Sequence, residues 1–210
     1  MQIIGAGGHA RVIFEVCMDN QKIVSRIHDD NPSVRHFYGY SVSPIHSIDQ
    51  LSIKDSFFLA IGDNGSRYKK YKQLCFLHYE TLIHSSAMVS PTAQIGDGTV
   101  VIHRAVIQAE VQVGKQVIIN TGAQLGHDCV VDDFCHVAPG AILCGGVKLN
   151  RGVFVGAGAI LVQGIEVGEN TTIGAGTVVT RSIPSNQVMV GNPAREVKKL
   201  SQEQLIHFKY

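Results

Sequence analysis

From Ile83 to Val179, every sixth residue is isoleucine, valine or leucine, and no insertion breaks the step. With roughly a quarter of residues aliphatic in an ordinary chain, so long a run does not arise by chance. Call this position phase 0. Phase 4 is small or apolar over the same stretch, as in Ala93, Ala105, Val111, Val117, Ala123, Cys129, Cys135, Ala141, Val147 and Val153. Phases 4 and 0 are two residues apart, so in extended backbone they share one face. That face is the interior, phases 5 and 1 point outward, and phases 2 and 3 remain for a corner. Phase 3 carries Gly98, Gly122, Gly140, Gly146, Gly152, Gly158, Gly164 and Gly176, with Asn170 among them. These residues tolerate the positive φ of a sharp turn. Strand and corner alternating every six residues predict a parallel β-helix in which three hexapeptides close a triangular coil of 18 residues.

The first eighty residues follow another pattern. Gln2 to Ile4 reads as a short strand, followed by GAGGHA and an apolar helical run through Val12, Ile13, Val16 and Cys17. A second strand, Ile23 to Ile27, ends at Asp29 and Asp30, and a third, Phe57 to Ile61, runs into Gly62, Asp63 and Asn64. Gly5, Gly7 and Ala10 fit G-x-G-x-x-A, a turn that lets backbone approach a phosphate at a helix N-terminus. A dinucleotide fold needs two such halves, and only residues 1–78 precede the repeats. One nucleotide with its sugar therefore fits better than a dinucleotide. Gly5, Gly7, Gly8, His9 and Gly62 are candidate contacts to that ligand, and Asp29 and Asp30 suit its hydroxyl and N–H groups.

These patterns divide the chain into a Rossmann-like α/β half-domain (1–78), an all-β helix (79–197) and a helical tail (198–210). Ser201 to Gln204 has capping-box form and opens a short helix to about Lys209. Open ends of a solenoid expose strand edges, so the tail is expected to close the bottom and the N-terminal domain to cover the top.

Composition narrows the partners. Net charge is +1 without a basic block, which argues against nucleic acid and anionic membranes. No apolar run is long enough to span a bilayer, and the N-terminus has no signal-peptide form. The cysteines, Cys17, Cys75, Cys129, Cys135 and Cys144, are odd in number and lack a CxxC pair, as expected of reduced thiols in the cytoplasm.

Taken together, GAGGHA, the IGDN that ends the third strand, IHSSAMVSPTAQIG at the entry to the repeats and VMVGNPAREV near the end resemble one family over nearly the whole chain. It is the sugar-nucleotide acetyltransferase group of the hexapeptide-repeat enzymes, which includes bacillosamine and perosamine N-acetyltransferases and sialic acid O-acetyltransferases. The resemblance implies a left-handed coil, a homotrimer with active sites between neighbouring prisms, acetyl-CoA as co-substrate and no metal. It implies acetyl transfer to the amino group of a nucleotide-linked 4-amino-4,6-dideoxy sugar, with sialic acid O-acetylation as the alternative.

The same resemblance assigns roles. In NTGAQLGHDC, His127 matches the general base, and Asp128 stands where the amino-sugar enzymes usually have glutamate to orient it. The backbone N–H of Gly145 matches the oxyanion donor, and His136 and Asn120 match positions at the acetyl-CoA site. Acetyl-CoA is expected to run over Ala157 and Ala175, where small side chains leave room. The phases agree with this: His127 and Asp128 fall on a corner, and one coil of 18 beyond His127 is Gly145. His103 is expected at the surface, Cys129 and Cys135 in the interior, and Cys144 as a packed thiol. Zinc β-helix enzymes need an HxxxxH pair, whereas His127 and His136 are nine apart.

Overall fold

The computed structural model describes residues 1–45 and 55–199. The N-terminal part runs β1 (Gln2–Ile4), α1 (Gly8–Asp19), β2 (Arg26–His28), β3 (His36–Phe37), β4 (Tyr40–Ser43), β5 (Ser56–Leu59), α2 (Asn64–Gln73) and β6 (His78–Tyr79). They form one sheet of order β3-β4-β2-β1-β5-β6, parallel except for the β3–β4 hairpin. The second strand starts later than expected because Ile23 is exposed and its carbonyl accepts from the N-terminal ammonium. The third stops at Leu59 because the Ile61 carbonyl is taken by Arg67. β1 lies between β2 and β5, so the winding reverses there and a crevice opens at the carboxyl ends of β1 and β5.

The repeats form two-residue strands at phases 5 and 0, from β7 (Leu82–Ile83) to β23 (Val178–Val179), with turns at phases 2 and 3. Each strand pairs in parallel with the one 18 residues on: Ile118 with His136, Gln124 with Ile142, Val130 with Lys148. Three sheets result, and they are the faces of a prism. The first face includes Ile119 and Val137, the second Leu125 and Leu143, the third Val131 and Leu149. Phase 0 and phase 4 side chains such as Val117, Ile119, Ala123, Leu125 and Cys129 fill one continuous core. Cys129 and Cys135 lie within it, as expected, and burial raises both thiol pKa values.

At the corners, every sixth residue from 98 to 176 has positive φ, including Arg104, Glu110, Gln116, Asp128 and Phe134. Such residues rarely adopt that region. Here the phase 3 N–H donates to the phase 2 carbonyl of the preceding coil, as from Asp128 to Ala109 (3.0 Å) and from Gly146 to His127 (2.8 Å). The stacking register offsets the local strain.

VMVGNPAREV folds as an antiparallel hairpin of β24 (Gln187–Val190) and β25 (Arg195–Lys199), which continues the first face. Strand β25 thus runs to Lys199, and the expected helix opened by Ser201–Gln204 lies outside the described residues.

The N-terminal domain does not cover the top of the prism. It packs against the flank of the first face. Ile3, Ala10, Ile13 and Val16 share a core with Leu82, Val100, Ile102 and Ile118, which are outward positions of the early coils. Ile83, in the first coil, is 39% exposed. Burial of this apolar area drives the docking. Arg67 of α2, 1% exposed, holds the seam. Its guanidinium donates to the carbonyls of Ile61, Gly62, Gln116, Phe134 and Cys135 and to Asn64 Oδ1. Burial pulls its pKa down to about 10, so it stays charged. Replacing Arg67 by alanine would leave several of these carbonyls unpaired in a dry seam, each at ~1–3 kcal/mol. Arg67→Ala is expected to lower unfolding free energy by ~3 kcal/mol or more in urea titration and to speed hydrogen exchange in α2; an unchanged midpoint would show that the domain is held otherwise.

Candidate active site

His127 and Asp128 occupy the vertex between the second and third faces. Asp128 has φ +60°, and its Oδ2 lies 2.7 Å from His127 Nδ1. A carboxylate only accepts, so the shared proton is on Nδ1 and the Nε2 lone pair is left free. The shorter aspartate therefore makes the bond expected of the family's glutamate. Both side chains are about two-thirds exposed (66% and 64%). A pair so exposed contributes at most ~1 kcal/mol to stability, so the fold alone does not account for it. The His127 N–H donates to Gln108 Oε1, which fixes the corner from the preceding coil.

Gly145 stacks under the imidazole, as the 18-residue step requires. A Cβ on Gly145 would lie 2.6 Å from His127 Nε2. Its carbonyl accepts from Gly164, while its N–H has no partner among the described residues. A proton acceptor and an unpaired backbone donor thus sit side by side on an open vertex.

The other expected site residues gather on the first face, opposite that vertex. His136 lies beneath the N-terminal domain. Its Nε2 accepts from Asn120 Nδ2 at 3.1 Å, and its Nδ1 faces the Gly62 carbonyl at 3.3 Å. Burial, then Arg67 and His9, lower its pKa to about 3, so it is neutral. His9, with ring centroid 6.5 Å away, is lowered to about 4 by burial and by Arg67. Ala157 and Ala175 are exposed on the vertex that follows this face. Within one chain the structure joins His127, Asp128 and Gly145, and separately joins Asn120, His136, His9 and Gly62. It does not bring the two groups together.

Gly5, Gly7, Gly8, His9 and Gly62 do converge, at the crevice between β1 and β5. Gly5 has φ +110°, and a Cβ there would meet the Ala60 carbonyl at 2.9 Å. Gly7 caps α1 without a side-chain bond, and Gly7 and Gly8 are exposed, so the first turn presents open N–H groups. Asp29 and Asp30 have partners within the chain. Asp29 accepts from the N–H groups of Ala6 (2.7 Å) and Asn31 (2.8 Å) and so shapes the glycine turn. Asp30 pairs with Lys70 and accepts from Ile45. Beside the turn is a cavity of about 660 Å³ lined by Ala6, Arg11, Ser33, Val34, Arg35, His36, Phe37 and Tyr38. Neither Arg11 nor Arg35 has a carboxylate partner among the described residues.

Comparison with known proteins decides the family. Residues 1–74 match the PglD N-terminal domain, and residues 146–181 match the bacterial transferase hexapeptide (six repeats). A variant of Caulobacter crescentus perosamine N-acetyltransferase, solved with CoA and GDP-perosamine, is 34% identical with TM-score 0.88, covering 94% of this chain and 96% of that one. The chain belongs to the hexapeptide-repeat sugar N-acetyltransferases. The acetyltransferase domain of PglB from Neisseria gonorrhoeae is 33% identical with TM-score 0.88, over 93% and 98% of the two chains. GDP-perosamine N-acetyltransferase of Escherichia coli O157:H7 is 27% identical over 213 residues, 94% of this chain and 96% of that protein.

In this sugar N-acetyltransferase, Arg11, Arg35 and Tyr38 escaped the sequence-based expectation. Arg11 follows GAGGHA directly and was a readable signal. Arg35 and Tyr38 lie in a segment without periodicity, and only the fold brings them to the turn. Gly145→Ala is expected to push the imidazole aside and lower kcat by ~10²-fold, as a misplacement of about 1 Å does. Its thermal midpoint should stay near wild type, because the vertex is open to solvent. A kcat within a factor of two would remove the close stacking from the account.

Proposed function

We propose that this protein transfers the acetyl group of acetyl-CoA to the amino group of a nucleotide-linked 4-amino-4,6-dideoxy sugar. The observation that carries this is the His127–Asp128 bond, which leaves Nε2 free beside the unpaired Gly145 N–H. The amine attacks the thioester carbonyl, and His127 Nε2 takes its proton. The Gly145 N–H stabilises the oxyanion, an interaction worth ~3 kcal/mol at comparable donors. The C–S bond then breaks, and the proton passes to the departing CoA thiolate. The relatives solved with CoA and GDP-perosamine, or named for N-acetylation of perosamine, support this substrate class.

The nucleotide belongs in the crevice of the N-terminal domain, its diphosphate on the open first turn of α1 and near Arg11 and Arg35. That domain lies on the first face, across the prism from His127. A site made of both therefore needs two chains, which favours the homotrimer. The outward column of the second face supports it: apart from Gln124 it is apolar, with Met88 (69% exposed), Val106, Ile142, Ile160 (38% exposed) and Val178. The third face is mostly polar instead, with Gln94, Gln112, Lys148 and Glu166 around Val130. Packing a second copy on the apolar column would bury it next to the His127 vertex. No described helix is long and apolar enough to cross a membrane. The five cysteines form no disulfide, which fits the reducing cytoplasm, where acetyl-CoA is available.

Purified protein with acetyl-CoA and the UDP-, dTDP- and GDP-linked 4-amino sugars should release CoA with at least one of them. His127→Ala is expected to lower kcat by ~10²–10⁴-fold, the usual contribution of a general base. Failure of every amino sugar, or full turnover by the variant, would sink the proposal.

A further inference from the structure

The strongest unassigned cluster is Asp19, His84 and His103. Asp19 is the last residue of α1, His84 directly follows β7 in the first coil, and His103 belongs to the corner after Val100–Val101 in the second coil. The two histidines are 19 apart, one coil plus one residue, so stacking sets ring over ring with centroids 3.7 Å apart and planes 29° apart. His103, expected as a lone surface residue, is only partly exposed and packs on His84, which is 6% exposed. Both Nε2 atoms aim at one oxygen, Asp19 Oδ2, at 2.9 and 3.3 Å.

We propose that Asp19, His84 and His103 bind a divalent transition metal, with zinc the ion that this donor set fits best. One donor atom from each residue lies within 4.8 Å of the others. Tetrahedral zinc with bonds of about 2.0–2.1 Å needs donors about 3.3 Å apart, so the groups have to shift by an ångström or so at most. Two imidazoles and a carboxylate are ligands zinc accepts, and the exposed Asp19 side leaves a fourth position for water. An outer partner is in place: Ser86 Oγ is 2.7 Å from His84 Nδ1 and itself accepts from the Arg104 N–H. When Nε2 binds metal, the ring proton moves to Nδ1 and is donated to Ser86 Oγ. The Ser86 N–H, now 3.0 Å from Nδ1, gives up that bond. The ion would tie the end of α1 to the first two coils, on the same seam that Arg67 holds further along, and takes no part in acetyl transfer.

The test uses the full chain, free of any histidine tag and stripped with chelator, titrated with Co²⁺ and with Zn²⁺. The expected result is one ion per chain, visible d–d absorption from Co²⁺ and a higher thermal midpoint with Zn²⁺. His103→Ala, at a partly exposed position where folding should survive, is expected to weaken binding by more than the roughly 10–100-fold that losing an outer partner costs. Asp19→Ala should do likewise. Acetyl transfer by both variants should stay at the wild-type level. No stoichiometric binding at micromolar metal would overturn the proposal and leave the cluster as a hydrogen-bonded clasp. Binding that both variants retain would also overturn it, by placing the ion elsewhere.

Discussion

A step of six residues, kept without insertion from Ile83 to Val179, is the constraint on which the rest of the structure depends. Because three steps close one coil, any residue is stacked on the one 18 positions later. This register puts Gly145 under His127, and His103, one residue beyond the step, still reaches the His84 ring. It also lets a corner hold aspartate in the left-handed region, since the Asp128 N–H is bonded to the coil before it. One residue inserted before Gly145 would turn every later side chain to another face and take the backbone donor away from His127.

The N-terminal domain is fixed to the prism on the face opposite the His127 vertex. Its apolar face continues the core onto the outward positions Leu82, Val100, Ile102 and Ile118, and the Arg67 guanidinium ties both parts through their carbonyls. Arg67 has no carboxylate partner among the described residues; a buried arginine is costly unless its hydrogen bonds are filled, and here carbonyls and one amide oxygen fill them. His136 and His9 are kept neutral in the same seam. This docking fixes the glycine turn on the far side of the prism from His127.

The solenoid was legible in the chain because its signal is a strict period, and the stacking of Gly145 beside His127 followed from arithmetic on that period, while the resemblance singled out His127. The GAGGHA turn was legible because glycine, backbone approach and a helix start coincide in six residues. What could not be read depends on contacts between parts. Arg67 has an ordinary helical neighbourhood in the sequence and gains its role only against Gln116, Phe134 and Cys135. The flank docking depends on outward positions that look like any strand residue until a partner covers them. Asp29 also accepts from backbone N–H groups two and twenty-three residues away, a contact visible only in the fold. Arg104 and Phe134 sit at positive φ with no compositional hint, because neighbouring coils supply the hydrogen bonds that hold them there.

The central claim is that base and nucleotide pocket meet only between chains. The direct measurement is subunit complementation. His127→Ala chains keep the Arg11 and Arg35 pocket, while Arg11→Ala/Arg35→Ala chains keep His127. Co-expressed with different tags and purified through both, the mixed oligomers should acetylate a nucleotide-linked amino sugar that neither variant acetylates alone. Mixed oligomers as inactive as their parents, or chains that never associate, would contradict the account.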